Sequence, residues 1–150
     1  MKAPLWAALA ALTFALPGTA SAFDFTPPTV SVYGAVGAGS GGVQINQNST
    51  ANFAGVIQAG PNVSTSIQQS GQYNSAFIGQ VGGATTATAL QTGAGWNHAQ
   101  VGQTGNENRA MVGQSGYANQ AMVGQFGPNN VAGIGQVGPH NRATLFHRWR

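Results

Sequence analysis

The stretch Asn108-Arg109-Ala110-Met111-Val112-Gly113-Gln114 decides how this chain folds. In an extended strand, successive side chains point to opposite faces. Asn108, Ala110, Val112 and Gln114 therefore share one side, and Arg109, Met111 and Gly113 share the other. The same split places Asn74, Ala76, Ile78 and Gln80 against Ser75, Phe77 and Gly79. It also places Asn130, Ala132, Ile134 and Gln136 against Val131, Gly133 and Gly135. One side is almost constant while the other varies freely and carries arginine. The constant side is the interior, even though an amide stands at each end of it.

Outward from that stretch, the unit becomes an array. Glutamine recurs at Gln47, Gln58, Gln69, Gln80 and Gln91, then at Gln103, Gln114, Gln125 and Gln136, with His147 in the next place. Each step is eleven residues, except the twelve from Gln91 to Gln103, where one residue is inserted between Gly93 and Asn97. Two residues after these glutamines stand Gly60, Gly71, Gly82, Gly93, Gly105, Gly116, Gly127 and Gly138, with Ser49 the exception. Asparagine follows at Asn52, Asn74, Asn97, Asn108, Asn119, Asn130 and Asn141, with Val63 and Thr85 as departures. Self-similarity at a fixed period marks a repeat architecture.

The repeat glycines mark corners, because glycine adopts the positive φ that tight turns demand. Pro61, Pro128 and Pro139 share the phase directly after those glycines, where a proline removes no ladder hydrogen bond. A helix fails, since several glycines per unit would break it at every turn. The predicted fold is all-β: a two-sheet β-solenoid of cross-β strand-turn-strand coils, with about 22 residues per rung and about 4.5 rungs spaced by ~4.8 Å. Units starting at Asn52, Asn74, Asn97, Asn119 and Asn141 fall on one sheet. Those starting at Val63, Thr85, Asn108 and Asn130 fall on the other.

Amides inside such a coil need partners, because an unpaired buried amide costs about 1–3 kcal/mol. Stacked one rung apart, each side-chain NH₂ can donate to the amide oxygen of its neighbour along the axis. That requirement explains why Gln and Asn recur in phase rather than being merely abundant. An amide-rich low-complexity tract has no reason to keep such a phase.

The ends of the chain read differently. Lys2 followed by the apolar run Leu5 to Leu16, the break at Pro17-Gly18 and the small residues Ala20-Ser21-Ala22 form a signal-peptide pattern, assigning residues 1–22 to export. The apolar run is too short for a membrane span, which needs about 20 residues. Residues 23–46 read as a flexible glycine-rich N-terminal segment, and residues 47–150 as the solenoid. Gly37 to Gly42 has the spacing of a dinucleotide-binding loop, but neither a following helix nor a ribose-binding acid accompanies it.

Chemistry has few groups to work with. The 150 residues hold five Lys and Arg, two Asp and Glu and no cysteine. A disulfide or thiolate metal site is thereby excluded, and the sparse charge does not form the basic patch of a nucleic-acid binder. Asp24 and Glu107 are too far apart for paired acid–base work. His98, His140 and His147 take an outward, a corner and an inward position, so they do not converge on a metal. The reading is therefore no enzyme, no cofactor, no metal, no nucleic acid and no small-molecule substrate.

The unit Gln-x-Gly-x-x-Asn-x-Ala-x-x-x-Gln, unbroken at Gln69–Gln80, Gln103–Gln114, Gln114–Gln125 and Gln125–Gln136, resembles the repeat of curlins, the subunits of bacterial curli amyloid fibres. The resemblance covers about two-thirds of the chain. It implies export through an outer-membrane curli secretion channel with accessory factors, then self-assembly with other curlin subunits into adhesive, biofilm-supporting fibres. Arg142, Arg148, Trp149 and Arg150 give the last unit a basic, aromatic end similar to that of the minor, nucleating curlin, and they are candidates for anchoring or nucleation. The competing class is a soluble secreted solenoid that binds ice or another surface, for which an outward row of threonines is required. Only Thr86 and Thr88 fit it.

Overall fold

Alternating small apolar residues, closed at each end by a corner glycine and an asparagine, give strands of uniform length. The computed structural model of the chain describes residues 30–36, 41–48, 51–93 and 95–149, so the expected signal peptide and Arg150 lie outside the described residues. Eleven strands of seven residues follow in order: β1 Val30–Val36, β2 Gly42–Asn48, β3 Phe53–Ala59, β4 Ser64–Ser70, β5 Ser75–Val81 and β6 Thr86–Thr92. Then come β7 His98–Thr104, β8 Arg109–Ser115, β9 Gln120–Phe126, β10 Val131–Val137 and β11 Arg142–Arg148.

Odd and even strands separate into two sheets. The six-stranded sheet runs β1-β3-β5-β7-β9-β11, and the five-stranded sheet runs β10-β8-β6-β4-β2. Every pairing is parallel and in register, so Gln58 pairs with Gln80, Gln80 with Gln103 and Gln103 with Gln125. The chain thus forms the two-sheet β-solenoid that its period requires, two strands to a rung.

Between the sheets lies a thin core. Val43, Ile45, Ala54, Val56, Ile67, Ala76, Ile78, Ala87, Ala89, Ala99, Val101, Ala110, Val112, Ala121, Val123 and Ala132 form one buried cluster, with Ile134 and Leu145 partly covered at the C-terminal end. Small residues are needed because two amide-bearing strand faces leave little room between them. The outward faces stay open and carry exposed Phe53, Ile57, Val81, Met111, Met122, Phe126 and Phe146.

The N-terminal boundary differs from the expectation. Residues 23–46 were expected to be a flexible leader, yet β1 and most of β2 fall within them. The signal lay in Val43-Gln44-Ile45-Asn46-Gln47, which alternates like every later unit, and Val43, Ile45 and Gln47 are buried. Gly41 stands where the repeat asparagine belongs, which obscures the unit in a search by motif.

The single inserted residue leaves the register intact. Ser75 pairs with His98 and Gln80 with Gln103, one residue further apart than the partners of other rungs. The extra residue is taken up in the corner between β6 and β7, where Gly93, Gly95 and Trp96 all have positive φ.

Candidate functional site

In a repeat whose interior carries amides, the amide columns and the ends at which they stop are the candidate functional site. Two glutamine columns run along the axis, one per sheet. In the five-stranded sheet, Nε2 of Gln47, Gln69, Gln91 and Gln114 donates in turn to Oε1 of Gln69, Gln91, Gln114 and Gln136, at 2.6, 2.7, 2.8 and 2.8 Å. In the other sheet, Gln58, Gln80 and Gln103 donate to Gln80, Gln103 and Gln125 at 3.1, 2.7 and 2.6 Å. Every step has the same sense, from the lower-numbered residue to the higher. The columns are therefore polar.

The second amide proton crosses the core. Nε2 of Gln69, Gln91, Gln103, Gln114, Gln125 and Gln136 donates to the carbonyl of the first residue of the preceding strand, which lies in the opposite sheet. Glutamine is long enough to reach both partners. One side chain thus ties rung to rung and sheet to sheet, and its burial leaves no donor unsatisfied.

Thr65, which stands where the repeat has alanine, is built into the same network. Its hydroxyl accepts from Gln58 Nε2 at 2.7 Å and donates to Gln80 Oε1. Gln58 therefore turns its second proton to Thr65 instead of a carbonyl across the core.

The asparagines bond differently from the glutamines. The expectation gave both the same amide-to-amide stacking, but asparagine is one methylene shorter and stays close to the backbone. Its Oδ1 accepts the backbone N–H of the asparagine one rung on, as in Asn74 to Asn52, Asn119 to Asn97, Asn130 to Asn108 and Asn141 to Asn119. Its Nδ2 reaches back over the corner to the last carbonyl of the preceding strand, as Asn74 does to Ser70 at 3.1 Å and Asn108 to Thr104 at 3.2 Å. Direct side-chain pairs occur at Asn97–Asn74 and Asn130–Asn108. At Val63 and Thr85 this corner brace is lost, and the buried Thr85 hydroxyl has no partner. Gly41 cannot provide the brace either, so the N-terminal half of the five-stranded sheet is the less tightly held.

The corner glycines stack as directly as the amides. A Cβ on Gly60, Gly71, Gly82, Gly93, Gly105 or Gly116 would overlap the carbonyl of the repeat glycine one rung on, and each has positive φ. Gly127 and Gly138 share the positive φ but have more space around them. A second left-handed residue in each corner was not foreseen. Ala51, Asn62, Tyr73, Ala84, Trp96, Glu107, Ala118, Asn129 and His140 all have φ between 54° and 61°. The only legible sign is asparagine at two of them, since asparagine tolerates this conformation. Along one edge these corners bring Tyr73 and Trp96 into a stack at 5.4 Å, and Tyr117 edge-on to His140 at 5.6 Å.

At the C-terminal end, Arg142 is exposed and its Nε donates to Gln120 Oε1 at 3.1 Å. Arg148 ends β11 in solvent, and Trp149 is exposed with its backbone N–H on Phe126 O. His147 takes the glutamine position opposite Gln125 but stays exposed, because no strand covers the last rung. His98, His140 and His147 remain on separate elements, and among the described residues no cluster of metal-ligating side chains forms.

The family model of the curlin associated repeat matches residues 105–138 and again 116–145. The matches lie downstream of Val63, Thr65, Thr85 and the inserted residue. Nothing among curated proteins or solved structures matches the chain. Residues 105–145 thus carry the curlin associated repeat, within a solenoid whose in-register strands and amide columns extend beyond them.

Proposed function

We propose that this chain is a structural subunit of an extracellular curli-type amyloid fibre on a bacterial surface. Residues 1–22 direct its export, an outer-membrane secretion channel with accessory factors releases it, and copies then join end to end. The fibre serves adhesion and biofilm matrix. The observation that carries this reading is the pair of polar glutamine columns: the one in the five-stranded sheet runs from edge strand β2 to edge strand β10, and among the described residues no helix covers either edge. An exposed edge is a template for another strand, and a head-to-tail contact that does not close grows a filament.

A nucleating role fits the C-terminal end, where Arg142, Arg148 and Trp149 are exposed and the interior glutamine is replaced by His147. A soluble surface-binding solenoid finds some support on the outer face of the five-stranded sheet. Ser64, Ser66, Thr86 and Thr88 make two hydroxyl rungs there, but Met111 and Gly133 interrupt them.

The test is assembly of the chain lacking residues 1–22. Fibres that bind thioflavin and diffract at about 4.7 and 10 Å support the reading. A chain that stays monomeric for days at high micromolar concentration overturns it. Truncation after Gln136 tests the nucleating role separately: loss of seeding activity on a major curlin, with self-assembly retained, supports it, and unchanged seeding contradicts it.

A further inference from the structure

Among the described residues the strands number eleven, an odd number, and this constrains how two copies can meet. Both end strands, β1 and β11, belong to the six-stranded sheet. Two intact copies stacked in the same orientation would pair β11 with β1 of the next copy and leave the five-stranded sheet one strand short at the seam. Core and backbone would be open to water there.

β1 is also the strand least like the others. The register positions held by Ala54, Val56 and Gln58 in β3 are held by Ser31, Tyr33 and Ala35 in β1. It contributes no amide to the column, so it covers the N-terminal end without continuing the ladder. Directly beside it, Asn52 Nδ2 is buried without a partner. At the opposite end, Asn130 Oδ1 is likewise buried and unpartnered. One end holds an unused donor and the other an unused acceptor.

Resting on the fibre reading above, we propose that copies join by strand exchange: β11 of one copy displaces β1 of the next and pairs with β3, while β10 pairs with β2. Continuing the observed register sets Ala143, Leu145 and His147 against Ala54, Val56 and Gln58. It also sets Ala132, Ile134 and Gln136 against Val43, Ile45 and Gln47. Gln136 Nε2 then donates to Gln47 Oε1 in the sense of every other step in that column. Asn52 Nδ2 meets Asn141 Oδ1 as Asn97 Nδ2 meets Asn74 Oδ1. Asn130 Oδ1 receives the Gly41 N–H as Asn108 Oδ1 receives that of Asn130.

The exchange is balanced in one sheet and favourable in the other. The seven register pairs of β1 with β3 are replaced by seven of β11 with β3, and the β10–β2 pairing is added. A copy rotated by half a turn does less well. It sets β1 on β10 and β2 on β11, ends the Gln136 column against Ala35 and leaves Asn52 Nδ2 buried under β1. In the exchanged fibre, β1 is a removable cover that holds the free chain back until a neighbour's β11 replaces it.

The chain has no cysteine, so introduced pairs report cleanly. In the chain lacking residues 1–22, the double variant Gly34→Cys with Ile57→Cys, at paired register positions, locks β1 onto β3 when oxidised by diamide. The oxidised form is expected to lengthen the assembly lag at least tenfold, with dithiothreitol restoring it. Equal lags with and without the disulfide overturn the exchange. Separately, mixed fibres of the Phe146→Cys and Ile57→Cys single variants are expected to crosslink into dimers. Phe146→Cys linking instead to Asn46→Cys or to Gly34→Cys identifies the rotated or the gapped seam and overturns the proposal, including where the double variant does not fold. If the unsubstituted chain forms no fibres at all, the fibre reading itself has failed.

Discussion

Gln91 Nε2 donates to Gln114 Oε1 at 2.8 Å across a rung one residue longer than most. The length of a corner is thus free to change while the column is not, because the hydrogen bonds fix the strands and the corner lies outside the ladder. Deleting Ala94 should return the rung to the common length and leave the glutamine register unchanged. Hydrogen-exchange protection of β6 to β8 should match the parent chain, whereas loss of protection there would show that the insertion sets the register.

Removing a column member should be far more damaging. Gln91→Leu leaves the donor of Gln69, the acceptor of Gln114 and the Ser75 carbonyl without their partner. Each unsatisfied buried group costs about 1–3 kcal/mol. Gln136→Leu, at the end of the column, orphans fewer groups. Guanidinium midpoints of the unassembled chain should fall clearly further for Gln91→Leu than for Gln136→Leu. Equal shifts would mean that the column carries little of the stability.

Much of this was legible in the sequence because amides buried in phase allow few folds. The period, the inward face, both sheets and the sheet assignment of each unit follow from Asn, Ala, Val or Ile, and Gln recurring at fixed spacing. β2 escaped that reading because Gly41 replaces its asparagine, although Val43, Ile45 and Gln47 carry the alternation. The asparagine bonding mode was hidden because it depends on one methylene of reach. The left-handed corner positions were hidden because Ala, Tyr, Trp, Glu and His occupy them as well as Asn.

Thr65 offers a local test of the network. In Thr65→Val the isopropyl group keeps the volume but removes the hydroxyl, leaving a buried Gln58 N–H unpaired at about 1–3 kcal/mol. In Thr65→Ala the consensus returns and Gln58 has space to turn its proton to a carbonyl across the core. The valine variant should lower the guanidinium midpoint more than the alanine variant. The reverse order would show that Thr65 acts by filling space.

The corners contain removable strain. A non-glycine residue in the left-handed region is disfavoured by about 1–2 kcal/mol, so Ala118→Gly, at φ 56°, should stabilise the solenoid by up to about 1 kcal/mol. Gly82→Ala should do the opposite, since its Cβ would overlap the Gly105 carbonyl and strained backbone costs about 1–3 kcal/mol. Denaturation midpoints should shift in opposite directions. A shift of the same sign for both would contradict the corner geometry.

The central claim is that each rung is built within one chain, so that Gln91 stacks on Gln114 rather than on Gln91 of a neighbouring copy. Solid-state NMR of fibres with isotopically labelled chains diluted in unlabelled ones tests it directly. The account predicts that the Gln91–Gln114 side-chain contact survives dilution undiminished. A contact that fades in proportion to dilution, with Gln91 meeting Gln91 in undiluted fibres, would contradict it.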